Sequence, residues 1–237
     1  MNELKYKSQF RRFVLEGVRQ YMTDRNLPVD MSVTGYPALG TEDSLVYFEN
    51  HFPRFQAMIE LCQQHSIRPY SPCELGSFYP YTTLYFGGEI DLFDITPKVY
   101  PAVVEYDVYD VHLRGIDLNV DQPPERDYDL VILSEVMEHL PCDLFGLCSR
   151  VTKIIRPDGH LIVTYPTQHN IHPYGYEETI GVSGREYGDH LREFTDDTVG
   201  LFFTNLTTVA RIEMSYPAYG RTAIVLYKNT GSDHVAI

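Results

Sequence analysis

From Pro69 to Lys228, short apolar runs alternate with segments of helical spacing along the sequence. This alternation is typical of βαβ units, in which parallel strands are connected by helices that cover the sheet. A helix is predicted over residues 144–155, and Pro157-Asp158-Gly159 is a turn signal before the next strand. The predicted strands of this region are residues 71–76, 89–95, 111–118, 127–136 and 160–166.

The end of this region has a different strand arrangement. Residues 206–216 and 221–228 are both rich in β-branched and aromatic side chains, and only Pro217 to Gly220 separate them. Such a short connection can join antiparallel strands but not parallel ones. The sequence therefore predicts an α/β fold with a Rossmann-like, mostly parallel, seven-stranded sheet that is closed by an antiparallel C-terminal hairpin.

The first 66 residues have a helical pattern. Apolar side chains recur at three- and four-residue spacings over residues 4–25 and again over 43–65, which predicts amphipathic helices. Pro53 is expected to kink or split the second helix, because proline lacks the N–H that an internal helical position donates. The predicted domains are an N-terminal helical cap, residues 1–66, and a Rossmann-like domain, residues 67–237.

The formal net charge of −14 at pH 7 limits the partners that the chain can bind. A chain this acidic repels phosphate backbones, and no Lys/Arg cluster provides a local exception, so we expect no nucleic-acid substrate. No apolar run approaches the ~20 residues that span a bilayer, and the N-terminal residues lack the apolar segment of a secretory signal. We therefore expect a cytoplasmic protein that does not bind membranes.

The cysteine spacing excludes two common kinds of site. None of the four cysteines forms a C-x-x-C pair, which is the spacing of zinc knuckles and of thioredoxin-like redox centres. We expect these residues to be buried thiols. They are Cys62, Cys73, Cys142 and Cys148.

Two of the predicted strands end in residues that are suited to binding a nucleotide. After Glu74 and Leu75, Gly76 and Ser77 open a turn toward a helix, where backbone N–H groups are expected to point into the crevice at the carboxyl ends of the strands. Gly76 would let a ligand approach the backbone. Asp94 follows about 20 residues later, where a carboxylate can accept both ribose hydroxyls. Two alternatives remain open, a strand-to-helix turn without ligand and a helix N-cap role for Asp94.

Five segments in order, PCELGS, LFDIT, GIDLN, DYDLVILSEVMEHL and RPDGHLIVTYPT, resemble the class I S-adenosylmethionine-dependent methyltransferases over roughly residues 69–228. The resemblance implies S-adenosylmethionine as the cofactor, with Asp117 at the adenine amino group and Leu118 on the adenine face. The sequence departs from the family pattern after Gly76, where Phe78, Tyr79 and Pro80 replace further glycines. The predicted cofactor-binding residues are Glu74, Gly76, Ser77, Asp94, Ile95, Asp117, Leu118, Ser134 and Glu135.

The segment after the fourth predicted strand contains Glu135, Glu138 and His139. In a helical turn, positions i, i+3 and i+4 share one face, so these side chains and one further ligand would form a divalent-metal site. E-x-x-E-H segments of this kind resemble those of metal-dependent O-methyltransferases, in which a later histidine completes the site. Similar segments also occur in methyltransferases that bind no metal, so both interpretations stay open. The candidates for the later histidine are His190, His169 and His172.

Residues 168–194 contain histidines and several tyrosines, and they follow the fifth predicted strand on the expected substrate side. Without a metal, His139 or His190 can act as the general base, because an imidazole titrates near neutral pH. We therefore expect a small-molecule acceptor, with O-methylation of a sugar or a secondary metabolite. Two rival hypotheses are a non-catalytic methyltransferase-like scaffold and a nicotinamide-dependent oxidoreductase, which shares the glycine turn and the downstream acid.

Overall fold

The computed structural model describes residues 42–77, 80–94, 110–123, 126–168, 194–216 and 220–231. In chain order its helices and strands are α1 (Glu42–Gln64), β1 (Pro72–Leu75), α2 (Tyr81–Phe86), β2 (Glu89–Asp94), β3 (Asp110–Gly115), β4 (Tyr128–Ser134), α3 (Leu144–Lys153), β5 (Ile155–Gln168), α4 (Asp196–Phe202), β6 (Thr207–Tyr216) and β7 (Gly220–Lys228). One turn of 3₁₀ helix, Met137–His139, lies between β4 and α3.

The strands form one seven-stranded sheet in the order β3-β2-β1-β4-β5-β7-β6. Strands β1 to β5 pair in parallel, whereas β7 pairs antiparallel with both β5 and β6. This arrangement confirms the predicted mostly parallel sheet and its antiparallel C-terminal hairpin. The last strand does not extend the sheet at its edge, because β7 lies between β5 and β6.

Hydrophobic cores cover both faces of the sheet. Successive side chains of a strand point to opposite faces, so Leu130 and Ile132 of β4 join one core, and Val131 and Leu133 join the other. Helices α1 and α2 contribute to the first core, while α3 and α4 contribute to the second. Every position of β4 is buried, as expected for a central strand with helices on both sides.

Helix α1 is an integral part of the first core. Its buried residues Phe55, Met58 and Cys62 cluster with Ile90 of β2. The helix continues through Pro53, so the predicted split at this residue does not occur. Residues 1–41 lie outside the described residues, and the domain boundary at residue 66 stays a prediction. Among the residues that are described, no helix is both long and apolar enough to cross a membrane.

Strand β5 begins earlier than the sequence predicts. It starts at Ile155, which pairs with Tyr128, and the pairing resumes only at His160 with Leu130. The predicted turn Pro157-Asp158-Gly159 therefore lies inside the strand as an irregularity, with Asp158 at φ 62°. The reason is pairing on the other side, where the Asp158 N–H donates to the Asn229 carbonyl at 2.7 Å.

Candidate functional site

The turn after β1 is built around Gly76, whose φ is 74°. The N–H groups of Gly76 and Ser77 donate to the carbonyl of Phe93 at 2.7 and 3.1 Å, so they bond to β2 and do not point into the crevice as predicted. A Cβ on Gly76 would lie 2.4 Å from Cγ2 of Val136. Glycine is thus required for the positive φ and for close packing against the turn after β4.

Ser77 provides a polar group in this turn that has no partner among the described residues. The residue is fully buried, and its Oγ makes no hydrogen bond within the described part of the chain. A buried hydroxyl that stays unsatisfied costs about 1–3 kcal/mol, so such groups usually face a water or a ligand. This observation fits a cofactor with polar atoms at the end of β1.

Glu74 lies just below the turn and is also buried. Burial raises the pKa of its carboxyl to about 8, and Asp94 raises it too, while a hydrogen bond from Thr83 and the charge of Arg54 lower it. The hydroxyl of Thr83 links Glu74 to α2. Glu74 is therefore largely protonated at neutral pH, and its bond with Thr83 stabilises the end of β1 against α2. Asp94, at the carboxyl end of β2, is the nearby acid at the edge of the sheet.

Asp117 and Leu118, the two residues after β3 that are predicted to contact adenine, have different surroundings. Asp117 is half-buried, and its Oδ1 accepts hydrogen bonds from the backbone and side-chain nitrogens of Asn119 at 3.0 and 2.9 Å. Leu118 is buried in the second core, and its carbonyl accepts from Arg150 at 3.0 Å. Leu118 therefore contributes to packing, whereas Asp117 keeps a partly exposed carboxylate.

Glu135 follows β4 in a fixed but unfavourable conformation. Its φ of 52° is in the left-handed region, which costs roughly 1–2 kcal/mol for a residue with a side chain. The Glu135 N–H donates to the Thr164 carbonyl at 3.1 Å, and the Thr164 hydroxyl donates to Glu135 Oε1 at 2.8 Å. Because Thr164 has a single hydroxyl proton, Ser134 must donate in the 3.0 Å bond between their hydroxyls. Strained residues that the surroundings hold this firmly cluster at functional sites.

Arg54 of α1 reaches the same carboxylate. Its Nη1 lies 3.6 Å from Glu135 Oε2, and its side chain is only 6% exposed. His51, one helical turn earlier, is also buried, and burial followed by the charge of Arg54 lowers its pKa to about 2. The motif patterns identify neither residue. Arg54 could have been found from the helical spacing, because it lies four residues before the buried Met58, on the apolar face of its helix.

Glu138 and His139 do not form the predicted helical face with Glu135. The 3₁₀ turn begins at Met137, so Glu135 lies before it. Glu138 is fully buried, and burial together with the neighbouring Glu135 raises its pKa well above the usual range. His139 Nε2 is 3.9 Å from Glu138 Oε1, beyond hydrogen-bond distance. Within the described ranges, no three His, Cys, Asp or Glu residues are grouped so as to hold a metal ion.

Four of the predicted site residues cannot be placed. They are Ile95, His169, His172 and His190, which lie outside the described residues. Glu74, Gly76, Ser77, Asp94, Ser134, Glu135, Glu138 and His139 lie at or after the carboxyl ends of the adjacent strands β1, β2 and β4. Asp117 and Leu118 follow the parallel strand β3, so the structure brings the described part of the predicted site to one edge of the sheet.

The structure is similar to solved structures of methyltransferases. The N-methyltransferase NodS from Bradyrhizobium japonicum WM9 is 15% identical, with a TM-score of 0.59 over 76% of this chain and 97% of that one. The 1,6-didemethyltoxoflavin-N1-methyltransferase from Burkholderia thailandensis is 18% identical, with a TM-score of 0.57 over 78% of this chain and 85% of that one. No protein-family model and no curated protein matches the sequence. The chain has the fold of class I S-adenosylmethionine-dependent methyltransferases.

Proposed function

We propose that the protein is an S-adenosylmethionine-dependent methyltransferase that acts on a small molecule. The observation that carries the proposal is the buried Ser77 hydroxyl, which has no partner within the described residues and lies on the turn after β1 in a class I methyltransferase fold. Two similar structures support the cofactor, since the NodS and toxoflavin enzymes were crystallised with S-adenosylhomocysteine. An antiparallel β7 argues against the nicotinamide-dependent rival, whose dinucleotide fold has a parallel sheet.

The residues at the ends of β1, β2 and β3 are assigned to the cofactor. The hydroxyl of Ser77 would bond one polar atom, the Asp94 carboxylate would accept from the ribose hydroxyls, and Asp117 would accept from the adenine amino group. When bound, S-adenosylmethionine supplies an electrophilic methyl group on a positively charged sulfur. The surrounding acids favour such a cation, since opposite charges at short range attract.

The acceptor is assigned to the β4 side of the crevice, with a hydroxyl of a sugar or a secondary metabolite as the expected nucleophile. His139 lies there with its side chain 18% exposed, so it is reachable from solvent and suited to take the hydroxyl proton. His190 is its predicted partner. Alignment of the acceptor with the methyl group contributes much of the rate in such a transfer, and the fixed turn after β4 provides this alignment.

Calorimetric titration with S-adenosylmethionine and S-adenosylhomocysteine tests the cofactor assignment. We expect saturable binding of both compounds and no binding of NADH. Binding of NADH alone would establish the oxidoreductase instead, and absence of binding by all three would favour the scaffold hypothesis.

The role of the histidines is tested once turnover is measured. His139→Ala and His190→Ala should each lower kcat by about 10²-fold or more and leave S-adenosylhomocysteine affinity nearly unchanged. A chelator that abolishes turnover identifies them as metal ligands, whereas turnover that ignores chelator but follows an imidazole titration identifies a base. Wild-type rates in both variants would remove the two histidines from the mechanism.

A further inference from the structure

The turn after β4 and the turn after β1 lie on adjacent strands and therefore divide the crevice between them. The cofactor residues of the proposed function follow β1, β2 and β3, which occupy one half of the sheet order. Glu135 and Glu138 follow β4, and their contacts come from β5 and α1. In this assignment these two residues, the acceptor-side carboxylates, lie on the other half of the crevice, and Glu135 is moved from the cofactor contacts that the sequence predicts to the acceptor.

Glu135 has bonding capacity that its neighbours do not use. A carboxylate offers about four acceptor positions, and Oε1 accepts one bond from Thr164. Arg54 stays 3.6 Å from Oε2, which is an ion pair but too long for a good hydrogen bond. The side chain is 16% exposed, so an approaching molecule can reach it. Thr164 and the backbone fix its direction before anything binds.

Glu138 lies beside Glu135 and accepts no hydrogen bond from another of the described residues. It is fully buried, and neither carboxyl oxygen bonds to another residue within the described part of the chain. A buried polar group without partners is costly, which makes a donor from a ligand or a water the expected complement. Arg54 is a cation that faces both acids.

Both observations point to the same chemistry, a cation with several N–H donors. We propose that the acceptor molecule carries a protonated amine and that Glu135 binds it, with Glu138 as a further hydrogen-bond acceptor. The proposal rests on the assignment of the chain as a methyltransferase and extends it to the substrate class. Thr164 acts as a positioning residue, because it holds Glu135 without touching the acceptor.

The test compares amines with neutral molecules of the same shape. The wild-type complex with S-adenosylhomocysteine is titrated with tyramine and 4-(2-hydroxyethyl)phenol, with glucosamine and glucose, and with further primary and secondary amines paired with their neutral isosteres. Binding is measured by ligand-detected NMR. We expect at least one amine to bind about tenfold or more tightly than its isostere, the scale of a charge-assisted hydrogen bond.

The preference must then depend on Glu135. Glu135→Gln, which keeps the size but loses the charge, should bring the amine to the affinity of its isostere and leave S-adenosylhomocysteine affinity unchanged. Thr164→Val should weaken the preference, whereas Thr164→Ser keeps the hydroxyl and should restore it. The Thr164 pair also provides the test if Glu135→Gln fails to fold.

Three results overturn the proposal. They are the absence of any amine preference in the wild type, a preference that survives Glu135→Gln, and a loss of S-adenosylhomocysteine affinity in that variant that matches the loss of amine binding. The last result would assign the carboxylate to the cofactor. Failure of the wild type to bind S-adenosylhomocysteine at all would refute the methyltransferase assignment instead, so the two failures are distinguishable.

Discussion

Replacing Gly76 with alanine perturbs the contact between the turn after β1 and the turn after β4. The new Cβ would lie 2.4 Å from Val136 Cγ2, so one of the two turns must shift. The φ of 74° adds about 1–2 kcal/mol for a residue with a Cβ, and overpacking adds about 1–3 kcal/mol. We therefore expect Gly76→Ala to lower the free energy of unfolding by about 2–5 kcal/mol and Tm by on the order of 10 °C.

Urea unfolding of a double-mutant cycle separates the two contributions. Val136→Ala removes the methyl groups that the new Cβ meets, so the double variant should be more stable than the sum of the single changes by about 1–2 kcal/mol. The backbone penalty remains in both variants with alanine at position 76. Calorimetry should also show weaker binding of S-adenosylhomocysteine to Gly76→Ala, because the same shift moves Ser77.

Gly200→Ala is the matched control. Gly200 lies in α4, and apart from its chain neighbours and its own helix backbone no atom of the described residues lies within 4 Å of an added Cβ, so alanine should stabilise the protein by about 0.5–1 kcal/mol. Strictly additive effects of Gly76→Ala and Val136→Ala would refute the steric argument. A Gly76→Ala variant as stable as the wild type would refute the positive φ as well.

Three further predictions concern charge and thiol chemistry. Asp94→Ala should weaken S-adenosylhomocysteine binding by roughly 1–3 kcal/mol in calorimetry, the cost of leaving ribose hydroxyls without a partner, and unchanged affinity would remove Asp94 from the site. The pKa of Glu74 is raised to about 8 in the fold, so its contribution to stability is present below the unfolded value of about 4.5 and is lost as pH rises through 8. Glu74→Gln should therefore reduce the pH dependence of the free energy of unfolding between those pH values, as measured with urea. Burial raises the pKa of the Cys62 and Cys148 thiols to about 12, so a thiol reagent at pH 8 should modify the half-buried Cys142 before either of them. Mass spectrometry that finds Cys148 modified first would contradict this order.

The sheet could be predicted because its signals are local. Within residues 127–136, Leu130 to Leu133 form an uninterrupted apolar run, as a strand buried on both faces requires, and the short connection at Pro217 predicts antiparallel pairing. The position of β7 between β5 and β6 could not be predicted in this way. Strand order depends on which edges meet in space, and residues 206–228 are compatible with either order.

The candidate site was predictable only where a motif marks a strand end. Gly76 directly follows β1 and Asp94 ends β2, as the nucleotide-binding pattern requires. The bonding around Glu135 depends on Thr164 and Arg54, which are 29 and 81 positions away along the chain. The helical interpretation of Glu135 to His139 fails for a similar reason, since Thr164 holds Glu135 at a φ that no α-helix contains.

The interior position of β7 has a consequence for how the chain folds. β5 and β6 are both synthesised before β7, which pairs with each of them. Neither strand can form these pairs until residues 220–228 have been made. Until then the edge of β5 presents unpaired N–H and carbonyl groups next to apolar side chains, which is the kind of surface that promotes aggregation. We expect the nascent chain to need chaperone protection until β7 inserts, and fragments that stop before residue 220 to be insoluble although they contain the whole candidate site.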